Sequence, residues 1–126
     1  MTGDSTLRIE TRISGGEAAV TEVEARCYEK RGRRYILFEL DGDRCRLRTD
    51  SKGLEYRRSG GLTYDLSFIP GEETAATMST AYGRSELVFR TDLYRESIKE
   101  DEMVMNLRYN VADEDHDMKI IIRKKH

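Results

Sequence analysis

The chain has 126 residues, with 24 acidic and 22 basic side chains and a net charge of -2. That length fits a single domain, residues 1–126, with enough core to fold alone, and the near balance of charge argues against wholesale phosphate binding, which calls for a strong basic surplus. Charged residues make up 37% of the chain, but they alternate with Leu, Ile, Val, Phe and Tyr instead of forming blocks, the pattern of a folded protein with a wet outer face.

The opening segment "MTGDSTLRIE" has no apolar leader, and no later apolar run approaches the ~20 residues of a membrane-spanning helix, so a cytoplasmic protein is expected. Glycines at 15–16, 32, 42, 53, 60–61, 71 and 83 punctuate the chain. Between them the apolar residues recur with period two, as short antiparallel strands joined by hairpins would have them. In the first strand Leu7, Ile9 and Ile13 alternate. A two-residue turn at Gly15-Gly16 would set Ile9 against Glu22, so an odd-length loop with a glycine bulge is expected, pairing Ile9 with Thr21 or Val23. A two-residue turn at Arg31-Gly32 puts Cys27 opposite Ile36, Ala25 opposite Phe38 and Val23 opposite Leu40. One at Asp41-Gly42 puts Phe38 opposite Cys45, Ile36 opposite Leu47 and Glu39 opposite Arg44. The two registers agree on one inner face. Cys27 and Cys45 fall on that face but two strands apart, ~10 Å, beyond the ~7 Å reach of a disulfide, so both are expected as core thiols.

A turn at Lys52-Gly53 would place Arg58 opposite Leu47, inside; a turn one residue longer would send Arg57 inward instead. Leu62, Tyr64, Leu66 and Phe68 form the next alternating strand. "YRESIKEDEM", Tyr94 to Met103, is compatible with a strand end or a short helix. Met103, Met105, Leu107, Tyr109 and Val111 share one face, with the methionines in the core. "DEDHD", Asp113 to Asp117, reads as an acidic hairpin turn, because it lacks the alternation and the glycine of a calcium loop. His126 carries little weight. Consecutive hairpins, one inner face and no helices to cover a sheet predict an all-β fold: an antiparallel up-and-down β-barrel of eight to ten strands. A two-sheet sandwich is the alternative.

"LEYRRSGG" (54–61), "STAYGRSELVFRT" (79–91), "NLRYNV" (106–111) and "KIIIRKK" (119–125) resemble the YwiB-like bacterial β-barrel proteins, a domain family of unknown function. The resemblance implies a calycin-like or lipocalin-like barrel in a bacterial cytoplasm, with no established activity, substrate or cofactor. This sequence departs from the family pattern in having Ala81, not proline, before Tyr82 and Gly83.

An inward arginine needs an anion, carbonyls or an aromatic face, since an unpaired internal charge is costly. Tyr64, Tyr82, Thr91 and Tyr109 fall on inward-reading positions and, with Arg58, would form the polar end of a ligand site; the alternative is an arginine that serves structure alone. On the outer face Arg44, Arg46 and Arg48 project from one strand beside Tyr28 and Tyr35, an arrangement that could bind single-stranded RNA or serve as a solvated face balanced by Glu22, Glu24 and Glu39. No catalytic, metal or cofactor signature is present, and an enzyme is unsupported. Three functions stay open: a barrel binding a small amphipathic or anionic molecule, a filled barrel serving as an interaction or structural module, and an RNA-binding barrel.

Overall fold

The computed structural model describes residues 2–125; Met1 and His126 lie outside the description. Ten strands follow in order: β1 (Gly3–Ile13), β2 (Ala19–Lys30), β3 (Arg33–Leu40), β4 (Asp43–Asp50), β5 (Gly53–Ser59), β6 (Leu62–Phe68), β7 (Glu73–Thr80), β8 (Gly83–Ile98), β9 (Glu102–Val111) and β10 (Glu114–Lys124). Each pairs antiparallel with its sequence neighbours, and β1 pairs with β10, so the sheet closes into a barrel of the calycin-like and lipocalin-like kind. Closure gives the two end strands a partner and leaves no free sheet edge there. The turns from β1, β3, β5, β7 and β9 gather at one rim, here the upper, and the other turns, the start of β1 and the end of β10 at the lower.

The registers read from the turns hold where the ladders run. Cys27 faces Ile36, Ala25 faces Phe38, Ile36 faces Leu47 and Phe38 faces Cys45. The β2–β3 ladder stops at Ala25, short of Val23 and Leu40. Arg31, Gly32, Asp41 and Gly42 all have positive φ, between 50° and 84°, the backbone form that a tight two-residue hairpin requires. Ile9 pairs with Thr21 around the odd loop. The β4–β5 turn differs from expectation: Asp50 faces Gly53, so Ser51 and Lys52 make the turn, Tyr56 faces Leu47 and Arg58 faces Cys45. The slip is one turn position, which moves every pairing by a residue pair and keeps Arg58 inside.

Tyr94 to Met103 forms no helix. β8 runs on to Ile98 and turns into β9 at Glu102, because its pairing with β9 supplies the backbone bonds that a helix would otherwise make locally. Within β8 the register shifts between Thr91 and Leu93. Asp92 is the extra residue of this bulge, and past it Tyr94 and Glu96 take the inward positions that simple alternation gives to Leu93 and Arg95.

Ile36, Leu47, Phe68, Met105, Ile120 and Ile122 are fully shielded from solvent and fill the middle of the barrel. Cys27 and Cys45 are buried free thiols. One seam is thin. The β6–β7 ladder holds at two residue pairs, Leu62 with Thr80 and Thr63 with Ser79, whereas every other adjacent pair holds at least five. Farther down, Thr74 Oγ1 donates to the Ser67 carbonyl at 2.8 Å and ties the two strands again.

Candidate functional site

Arg58 enters the barrel near the upper rim and meets Asp43, its Nε donating to Oδ2 at 2.8 Å, with both side chains largely buried. Asp43 also accepts from the backbone N–H of Gly61 at 2.8 Å and of Leu62 at 3.1 Å. One carboxylate thereby joins the start of β4 to the β5–β6 hairpin. The bond from Arg58 comes first, and the two amides next, in holding the Asp43 carboxyl below its ordinary pKa. For Arg58 burial is the largest influence and opposes the charge, yet Asp43 and Tyr64 outweigh it and its pKa rises. Asp43 was absent from the expected partners although it shares Cys45's parity, and the turn arithmetic alone sets it inward.

The upper mouth holds a cavity of about 310 Å³. Its lining is mostly apolar and aromatic, with Tyr56, Leu66, Met78, Leu87, Phe89 and Met118 beside Tyr64, Tyr109 and His116. The aromatic rings brace one another: Tyr56 meets Tyr64 edge-on at 5.4 Å, Phe89 lies 5.8 Å from Tyr109, and His116 stacks on Tyr109 at 5.0 Å. Burial pushes the Tyr109 hydroxyl up to about 12 and raises Tyr56 further, so both are neutral donors at any physiological pH. Of the five expected ligand residues, the structure brings Arg58, Tyr64 and Tyr109 to this end. Tyr82 is a correction: with Ala81 it forms the turn between Thr80 and Gly83, and its side chain is fully exposed. Thr91 points inward as expected, midway along β8 and opposite Tyr109, but it does not line this cavity; its backbone bonds to Gly71 and Glu72, and its hydroxyl has no hydrogen-bond partner among the described residues.

The lower rim has its own internal charge pair, which the sequence reading missed. Arg34 of β3 reaches across to Glu96 of β8 at 3.1 Å, and the Tyr94 hydroxyl donates to the same carboxylate at 2.6 Å. The bulge at Asp92 carries no mark in composition, which is why the inward Glu96 escaped notice.

On the outer face Tyr28 and Tyr35 stack on each other at 4.8 Å, and Arg46 lies 5.9 Å from the Tyr35 ring. Arg46 and Arg48 both bond Glu55 of the neighbouring strand, which takes up the charge expected to fall to Glu22, Glu24 and Glu39. Glu22 instead pairs with Arg8, and Glu24 with Lys125. Arg44 is exposed opposite Glu39. The acidic stretch divides: Ala112 and Asp113 make the hairpin, and Asp115 and Asp117 are engaged by Asn110 and Arg108. Among the described residues no group of three or more His, Cys, Asp and Glu is placed to hold a metal ion. Among the described residues no helix is long and apolar enough to cross a membrane.

A family model described as "Domain of unknown function (DUF1934)" matches residues 7–121. Among solved structures, the "Crystal structure of ywiB protein from Bacillus subtilis" matches with a TM-score of 0.86 at 20% sequence identity, covering 98% of this chain and 93% of that one. At that identity the likeness speaks for the fold alone. A comparison with curated proteins finds no match.

Proposed function

The chain belongs to the family described as a domain of unknown function (DUF1934), and from that premise we propose that it is a binding barrel whose site is the upper mouth. The ligand is a small molecule with a substantial apolar part. The cavity of about 310 Å³ over a filled interior carries this reading, because it combines apolar and aromatic walls with a few polar tips, those of Tyr64, Tyr109 and His116. Its volume is at the lower end of the ~300–1,000 Å³ common for small-molecule sites. Phe68, Met105 and Ile120 occupy the middle of the barrel, so the ligand sits at the mouth and does not thread the axis. Arg58 is spent on Asp43 and holds the rim hairpin in place; it is not the ligand's first anchor.

An outer-face function with RNA has less support, since Glu55 engages two of the three arginines and the two tyrosines already stack on one another. The charged outer face suits work in water, and a cytoplasmic setting is part of the proposal.

The test is to compare the protein's mass under native and denaturing conditions after exposure to cell extract, beside a Leu87→Trp variant whose added ring fills the mouth. A stoichiometric small molecule released from the parent protein and missing from the variant is the expected result. Equal masses in both conditions for the parent protein would overturn the reading and favour a filled barrel acting through its outer face.

A further inference from the structure

We propose that the thin seam between β6 and β7 is the polar end of this site, and that it selects a singly charged carboxylate bearing a short apolar chain; the inference rests on the mouth-cavity reading above. A second hollow, of about 400 Å³, lies outside the wall over this seam. Its lining includes the outward Arg57, Thr77, Ser79 and Arg84, and it also reaches the inward Arg58 and Tyr64. Tyr64 lines both hollows, one on each side of the wall. Such double exposure follows from the ladder: pairing stops below Thr63 and Ser79, and the strands are tied again at Thr74 and Ser67. Between these ties Tyr64 and Met78 separate outside from inside with side chains in place of a full set of ladder bonds.

Charge within the hollow sets the head group. Arg57 is held by Asp65 through two bonds, at 3.2 and 2.8 Å, and Arg58 by Asp43. Arg84, opposite Ser79, makes no ion pair among the described residues, so the lining carries one uncompensated positive charge. Glu86, opposite Thr77, is not part of the lining. One surplus charge matches a carboxylate, whereas a phosphate dianion would leave negative charge unbalanced. Thr77 and Ser79, beside Arg84, have hydroxyls with no hydrogen bond among the described residues and can donate to the second carboxylate oxygen. The chain then passes Tyr64 and Met78 into the apolar mouth.

Octanoate and octanol are the paired probes, with binding located by the methyl resonances of Met78 and Met118 and measured on the parent protein and on Arg84→Gln, a change at an exposed side chain. Octanoate should bind about tenfold more tightly than octanol, Arg84→Gln should bring octanoate down to the octanol level without moving octanol, and added salt should weaken octanoate alone. If both probes shift the methyls with equal affinity, the mouth is a ligand site and the seam is not its polar end. If neither shifts them, the mouth reading falls and this inference falls with it.

Discussion

At the residue scale, Asp43 shows how one side chain can fix a rim. Its carboxylate takes three donors from the β5–β6 hairpin and its flank, which gathers the chain around Gly60 so closely that a Cβ there would run into the Asp43 carboxylate. Gly60 also has φ of +155°, a form that side chains disfavour. Asp43→Ala is expected to lower Tm by on the order of 10 °C, because it leaves Arg58 inside without an anion and two amides without an acceptor. Gly60→Ala should be destabilising as well, and the double variant should lose less than the sum, since the clash disappears with the carboxylate. Calorimetry on the four proteins checks this; additive losses would mean that the two residues act apart. The folded pKa of Asp43 is depressed, so its contribution is present above the unfolded value of ~3.9 and is lost as pH falls through the folded one. Asp43→Ala should accordingly flatten the acid limb of the stability curve.

At the element scale, the bulge in β8 decides what closes the lower rim. Without the extra residue at Asp92, Glu96 would point to water and Arg34 would be left with only the exposed Glu29 carboxylate, 3.9 Å away on β2. Glu96→Ala is expected to cost about 2–4 kcal/mol, more than the ~0.2–1 kcal/mol of an exposed ion pair, and urea unfolding measures it. Glu102→Ala, which breaks the exposed pair with Arg123, is the control and should change the midpoint little. Equal effects from the two variants would mean that the internal pair has no more weight than a surface one. Bulges are hard to read because alternation continues on both sides of them, and here Leu93 offers a plausible apolar residue at the position simple counting would turn inward.

At the scale of the whole molecule, ten strands enclose an interior that their own side chains fill, and free volume is displaced to the mouth. Met105→Ala should open a void in the middle at a cost of about 2–5 kcal/mol, read by urea unfolding, and should leave any ligand at the mouth bound as before. A Met105→Ala protein as stable as its parent would mean that the centre is less tightly filled than the shielding of Met105 indicates. Much of this architecture was written in the chain. Period-two alternation and glycine-marked turns determine the strands, the hairpin registers at Asp41-Gly42 and Arg31-Gly32, the inward cysteines and the barrel, because turn length and side-chain parity are local properties. The inward course of Arg58 was legible for the same reason, even with the turn misplaced, since a shift of one residue pair preserves the face. The partners were not. Asp43 with the β5–β6 hairpin, Arg34 with Glu96, Arg46 and Arg48 with Glu55, and the seam where Tyr64 fronts two hollows are settled by which strands close on one another and where a bulge or a broken ladder interrupts them. These are distances between segments far apart in sequence, and only the tertiary structure fixes them.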